Sequence, residues 1–190
     1  MKNPKIFVIS GPGGAGKTTI VEQLFLREKV KKDFIKGITI TTRKKRLQEK
    51  DGKDYFFIEE EEFLRLRKRK FFLESQQVLE NYYGTPKILY ALAKRGGKSL
   101  VLCIDVKGGM YLKKEAKIKK VVTIFLVAPS GKELYRRMKK RDEKKGVIQK
   151  RVKLAKKELQ FSKYYDYLVT NRNIKDTLKE LEEIVLSSSK

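Results

Sequence analysis

Histidine is absent from the 190-residue chain. No imidazole is therefore available as general base, proton shuttle or metal ligand, and catalysis must rest on lysine, arginine, carboxylates and a bound metal ion. The single cysteine, Cys103, excludes an intrachain disulfide and suits a reducing compartment. No apolar run approaches the ~20 residues that a membrane helix needs, and the N-terminus lacks the apolar core of a signal peptide. The cytoplasm is the expected location, without a membrane partner. Acidic residues are scarce, 23 Asp+Glu against 47 Lys+Arg, for a formal charge of +24. That excess attracts any polyanion. The basic residues do not interleave with aromatics as base-stacking platforms would, and they crowd helix-like stretches such as "LKKEAKIKK" and "ELYRRMKKRDEKKG". A lysine-biased solvated surface is expected, with no specific nucleic-acid partner.

What is present reads as one α/β domain. Apolar residues make up 40% of the chain, enough for a sizeable core at this length. Apolar runs alternate with helical patterns, the signature of a mostly parallel sheet. The pattern predicts strands near 5–10, 99–106, 121–127 and 167–170, and helices near 17–28, 86–95, 130–141, 147–159 and 174–186. Ser130 and Glu133 form a capping-box pattern at the start of the third of these helices. In the last, Ile174, Leu178, Leu181 and Val185 make one apolar stripe, which predicts a core face. Residues 39–85 interrupt the rhythm: "TITTRKKR" leads to a predicted turn at Asp51-Gly52, an aromatic strand in "DGKDYFFI", the helix "EEEEFLRLRKR" and then "FFLESQQVLENYYGTP". This stretch is expected to be an insert of mixed strands beside the core.

The strongest local signal is "GPGGAGKTT", between the apolar run "IFVIS" and the helix-like "IVEQLFLRE". Gly11, Gly16, Lys17 and Thr18 satisfy G-x-x-x-x-G-K-S/T. In that pattern the glycines let backbone N–H groups converge on phosphate oxygens, the lysine reaches the β- and γ-phosphates, and the hydroxyl ligates Mg²⁺. The following helix points its N-terminus at the anion. The candidate ATP-binding residues are thus Gly11, Pro12, Gly13, Gly14, Ala15, Gly16, Lys17, Thr18 and Thr19. The loop identifies a nucleoside triphosphate but not the acceptor.

The acceptor is indicated by a longer succession, "TTRKKR", "DGKDYFF", "EEF", "FLE", "NYYGTP", "IDVKGG", "APS" and "YDYLVTN", which covers nearly the whole chain. In the order and spacing of these motifs the chain resembles the guanylate kinases. The resemblance implies a P-loop NTPase three-layer α/β core with a parallel sheet, an inserted mixed-β GMP-binding subdomain and a helical lid. The core would span about 1–36, 86–128 and 160–190, the GMP-binding subdomain about 37–85 and the lid about 129–159. The implied reaction is transfer of the γ-phosphoryl group of ATP to GMP, giving ADP and GDP. Mg²⁺ accompanies ATP, and dGMP is a further acceptor to test.

Carried across residue by residue, Arg43, Arg46, Tyr55 and Tyr83 match the positions that hold the GMP phosphate. Two guanidinium forks and two phenols suit a dianion. Glu74 matches the guanine-reading carboxylate, which when ionised accepts from the N1–H and 2-amino groups that adenine lacks. Thr39 and Thr85 match hydroxyls touching the base, and Asp105 matches a strand-end aspartate on the GMP side. Arg137, Arg141 and Arg151 match lid arginines that close over the transferring phosphates, and they join Lys17 and Arg43 in the implied catalytic set. Asn171 matches a residue near the adenine.

The chain also departs from the family pattern. The family strand ends in Asp-x-Asp, whereas this one reads "LCID", with Cys103 at the first aspartate. Side chains two apart share a strand face, so one carboxylate is missing from the phosphate side. Nearby positive charge is expected to favour the Cys103 thiolate. "VTNRN" replaces "VNDD", the lid is lysine-rich, and "RLQEKDG" lacks the usual proline and glycine. These departures keep a second reading open, a guanylate-kinase-like binding module with weak or no kinase activity, which the intact Lys17-Thr18 loop opposes.

Overall fold

The structure is a computed structural model, described here for residues 4–114, 118, 120–139 and 145–188. In chain order, β1 (Ile6–Ser10) leads into α1 (Lys17–Leu24), α2 (Glu28–Asp33) and β2 (Phe34–Gly37). Next come β3 (Ile40–Thr41), β4 (Phe56–Phe57), α3 (Glu60–Lys68), β5 (Phe72–Val78) and β6 (Asn81–Pro86). The chain continues through α4 (Lys87–Arg95), β7 (Ser99–Cys103), α5 (Val106–Lys114), β8 (Val121–Val127), α6 (Gly131–Lys139), α7 (Lys145–Leu159), β9 (Tyr167–Thr170) and α8 (Ile174–Ser188).

Two sheets result. The larger has the order β2-β7-β1-β8-β9, and every neighbouring pair in it is parallel. The period-2 alternation of β1 divides its side chains between two cores. Phe7 and Ile9 join Ile20 and Leu24 of α1 and Leu178, Leu181 and Val185 of α8. Ile6 and Val8 face the other way, toward Leu100, Leu102, Ala93 of α4 and Leu112 of α5. Burying both faces explains why these strands read as continuous apolar runs, and it makes the core three-layered. The smaller sheet has the order β4-β3-β6-β5. Its β3 runs parallel to β4 and antiparallel to β6, so it is mixed. Helix α3 seals it: Phe63 stacks on Phe72 at 4.5 Å and on Tyr82 at 5.4 Å between ring centroids.

The structure differs from the sequence pattern at identifiable places. Helix α1 ends at Leu24 rather than 28, and α2 and the short edge strand β2 follow, neither of which the pattern signals. The strand expected over 99–106 stops at Cys103, because Asp105 turns the chain into α5 by accepting the Lys107 and Gly108 N–H groups at 2.8 and 3.1 Å. Ile174 is 49% exposed and leaves the predicted stripe, and Thr177 and Ile184 join the buried face instead. The Glu133 N–H donates to Ser130 Oγ at 3.1 Å, as a cap requires, while the Glu133 carboxylate turns to Arg136 and Arg137.

Candidate active site

The loop after β1 arrives at α1 through Gly16, the helix N-cap, at φ 94°. Only glycine takes that conformation without strain, and a Cβ there would run into the Asn171 amide. The Asn171 Nδ2 donates to Ala15 O at 2.8 Å, and Thr177 Oγ1 donates to its Oδ1 at 3.3 Å. Asn171 thus braces the loop from behind. Lys17 Nζ donates to the Gly11 and Pro12 carbonyls at 2.6 and 3.1 Å, which holds the ammonium at the mouth of the loop. Thr18 lines the cavity beside it, whereas Thr19 points to solvent.

That cavity, of about 150 Å³, is lined by both sheets. From the core come Gly11, Gly13, Gly14, Gly16, Lys17, Thr18, Cys103 and Asp105, and from the insert Thr39, Arg43, Arg46, Tyr55 and Tyr83. Strand alternation decides between the neighbouring tyrosines: Tyr83 enters the cavity edge-on to Tyr55 at 6.1 Å, while Tyr82 packs on Phe63. Arg43 lies 5.5 Å from the Tyr55 ring centre. Helix α7 closes the top with Arg151, Leu154 and Glu158, against Val78 and Leu79 at the β5–β6 turn. Lys150 Nζ spans the same gap to Glu80 Oε1 at 2.8 Å.

Behind the cavity, Glu74 is buried at 3% exposure. Its Oε1 accepts from Thr85 Oγ1 at 2.6 Å, while its Oε2 has no hydrogen-bond partner in the protein. Asp105 Oδ2 is in the same condition. Burial, with the Asp105 charge adding to it, pushes the Glu74 carboxyl up to about 8, against the Thr85 hydroxyl. Burial likewise raises Asp105, against backbone N–H groups and Lys17. Two buried carboxyl oxygens without partners leave hydrogen-bonding capacity for a polar ligand, since such groups are costly left unmade.

The three arginines expected in a lid do not stay together. Arg151 lines the cavity, its Nη1 3.6 Å from where a Cβ on Gly13 would stand. Arg137 lies at the rear of the loop, donating to Glu133 at 2.7 Å, to Asn171 O at 3.1 Å and to Ala15 O at 3.5 Å. Arg141 falls outside the described residues. Neither Arg137 nor Asn171 is part of the cavity lining. Cys103 does line it, but the expectation of a reactive thiolate is corrected: burial raises the thiol pKa, and the opposing charges of Lys17 and Lys36 do not reverse the shift.

Three further residues belong to the site although the sequence pattern assigned them no role. Glu49 sits between Arg43 and Arg46, readable only as a third member of an R-x-x-R-x-x-E spacing. Gly108 makes room for two carboxylates. Glu158 enters from α7, its carboxyl pushed up to about 7 by burial with the Asp105 charge adding, against Lys17 and Arg151.

A parallel sheet with a phosphate loop at the carboxyl end of β1, an inserted sheet carrying two arginines, and a helix above them define a P-loop phosphotransferase built for two phosphorylated ligands. The guanylate kinase profile matches residues 3–188, and the chain belongs to that family. It is 42% identical to a guanylate kinase of Mycoplasma genitalium, over 96% of this chain and 75% of the relative. Identity to that of Thermotoga maritima is 41%, over 96% and 86%. Among solved structures, guanylate kinase from Anaplasma phagocytophilum superposes with a TM-score of 0.79 at 30% identity, covering all of this chain and 88% of the other.

Proposed function

We propose that this protein transfers the γ-phosphoryl group of ATP to GMP, giving ADP and GDP. The observation that carries the reading is one cavity shared by two unlike halves. The Lys17 loop suits a triphosphate, and Arg43, Arg46, Tyr55 and Tyr83 face it, with the unpartnered Glu74 oxygen behind. A GMP phosphate oxygen attacks the γ-phosphorus in line, the bond to the β–γ bridging oxygen breaks, and ADP leaves with that electron pair. Lys17 and Arg151 would offset charge on the oxygens of the transferred group, and Arg43 and Arg46 would fix the attacking phosphate. Glu74, with Thr85 and Asp105, would read guanine, and Thr39 would touch the base.

The residues present suit Mg²⁺ delivered with ATP. Thr18 offers its hydroxyl at the cavity wall, and among the described residues no cluster of three acidic, cysteine or histidine side chains forms a dedicated cage. Mg²⁺ keeps waters and phosphate oxygens as its main ligands, so one hydroxyl is a sufficient protein anchor. When bound, it neutralises charge across the β- and γ-phosphates.

The division into a core (1–36, 86–128, 160–190), a GMP-binding insert (37–85) and a lid (129–159) is proposed on the same basis. So is a cytoplasmic setting, where both nucleotides are supplied. Among the described residues no helix is long and apolar enough to cross a membrane.

The test is formation of ADP measured in a coupled assay with GMP, AMP, CMP and UMP in turn. Turnover with GMP far above the other three is expected. Faster turnover with AMP or a pyrimidine nucleotide would move the base assignment. GMP binding without ADP formation would establish the binding-module alternative, which the loss of a carboxylate at Cys103 favours.

A further inference from the structure

Arg43 and Arg46 bring two cations to one wall of a cavity in a chain of net charge +24. Such a pair repels itself, and long side chains with ~2 kcal/mol of rotamer entropy have little reason to wait in a fixed pose. Yet the Arg43 side chain is 11% exposed. What holds it is Glu49, 16% exposed on its side chain. Arg43 Nη2 donates to Glu49 Oε1 at 2.7 Å and to Oε2 at 2.9 Å. The Arg46 backbone N–H donates to the same Oε2 at 2.9 Å, and Arg46 Nη1 stands 3.5 Å from Oε1. A second Arg43 nitrogen, Nη1, donates to Lys44 O at 2.7 Å, and the guanidinium lies 5.7 Å from the Phe57 ring centre.

The carboxylate is itself tied down. Glu49 N–H donates to Arg46 O at 3.1 Å, closing a turn in which backbone and side chain of Glu49 both grip Arg46. A side chain anchored in this way is part of the loop, and a phosphate cannot displace it without opening the turn. Burial alone would raise the Glu49 pKa, but the bonds from Arg43 and the Arg46 N–H outweigh it and hold the carboxyl below its ordinary value.

We propose that Glu49 is the positioning residue of the acceptor-phosphate site, a built-in anion that holds Arg43 and Arg46 side by side so that an incoming phosphate monoester meets donors already arranged. The proposal rests on the reading of this wall as the GMP phosphate site. It deepens that reading by assigning a residue that lines the same cavity but acts through Arg43 and Arg46. The opposite role, an internal competitor lying where the phosphate should lie, predicts the opposite sign.

The experiment measures binding of GMP and of guanosine to the full chain and to Glu49→Gln by titration calorimetry, together with KM for GMP and for ATP. In the variant, GMP affinity should fall roughly tenfold or more, because charge-assisted bonds organise the site. Guanosine affinity and the ATP KM should stay within about twofold, since Glu49 acts only through the phosphate donors. Glu49→Asp, which keeps the charge on a shorter stem, should retain more of the preference for GMP than Gln does. Unchanged or tighter GMP binding in Glu49→Gln would overturn the proposal, as would equal losses for GMP and guanosine, or Asp performing no better than Gln. A wild-type protein that does not prefer GMP to guanosine would overturn the phosphate-site reading itself, and the proposal with it.

Discussion

Glu74 and Asp105, one from the inserted sheet and one from the end of the core sheet, converge on Gly108 at the start of α5. A Cβ on Gly108 would stand 2.6 Å from Glu74 Oε2 and 3.2 Å from Asp105 Oδ2. Among the described residues these are the two buried carboxyl oxygens that have no hydrogen-bond partner. The place where α5 meets β5 is therefore also where two buried carboxyl oxygens lie open to a ligand.

Gly108→Ala should displace one carboxylate or both. We expect KM for GMP to rise about tenfold or more, with KM for ATP within about twofold, because the phosphate loop lies on the other side of Asp105. Steady-state kinetics with each nucleotide varied in turn checks this. An equal rise for both substrates would mean that α5 as a whole had shifted.

GMP binding should depend on pH through Glu74. A Glu74 carboxyl held up at about 8 is protonated in the free protein near neutrality, yet in the proposed guanine-reading role it would have to ionise to accept both base donors. GMP affinity should therefore increase as pH rises from 6 to 9, and Glu74→Gln should flatten the profile. That variant should also lose about 1.5–3 kcal/mol of discrimination against AMP, the worth of a charge-assisted bond. Stability runs the other way. With the folded value near 8 and the ordinary value at 4.5, the folded state holds the extra proton between them. Glu74's contribution is complete below the lower value and lost as pH climbs through the upper one. Melting of the ligand-free wild type should thus drop more between pH 6 and 8.5 than that of Glu74→Gln.

Lys17→Ala should reduce turnover by at least about 10²–10³, the scale of losing one preorganised charge at a transferring group. GMP binding, measured calorimetrically, should survive. Collapse of GMP affinity would show that Lys17 serves both halves of the cavity.

Cys103 should react slowly with a small thiol reagent at neutral pH, since burial raises its pKa, and more slowly still with ATP and GMP bound above it. Cys103→Asp places a carboxylate among Lys17, Lys36 and the Thr18 hydroxyl. We expect a stability loss below about 2 kcal/mol in a denaturant melt, against the 3–5 kcal/mol typical of an uncompensated buried charge. Turnover should be retained or raised.

Much of this was legible in local sequence. The continuous apolar run of β1, the glycine and lysine spacing of the loop and the buried part of the α8 stripe are short-range patterns whose physics does not depend on distant residues. Helix α5 was not legible. Its first turn carries Gly108 and Gly109, poor helix formers, which stand there because Glu74 and the Tyr165 hydroxyl crowd them. Strand β2 was hidden because four residues on a sheet edge carry too few alternations to register.

By itself, then, the sequence determined the chemistry available: a phosphate loop, a wealth of cations, a few well-spaced carboxylates and no imidazole. Only the tertiary structure decided how these are shared out. It placed Arg151 in the cavity and set Arg137 behind the loop against Glu133 and two carbonyls. It buried Glu74 and left one oxygen without a partner, and it gave Arg43 to Glu49. The reason is physical. Residue type sets which bonds a side chain can make, whereas burial and competing partners, contributed by segments far apart in the chain, set which bonds it has already made and which remain for a ligand.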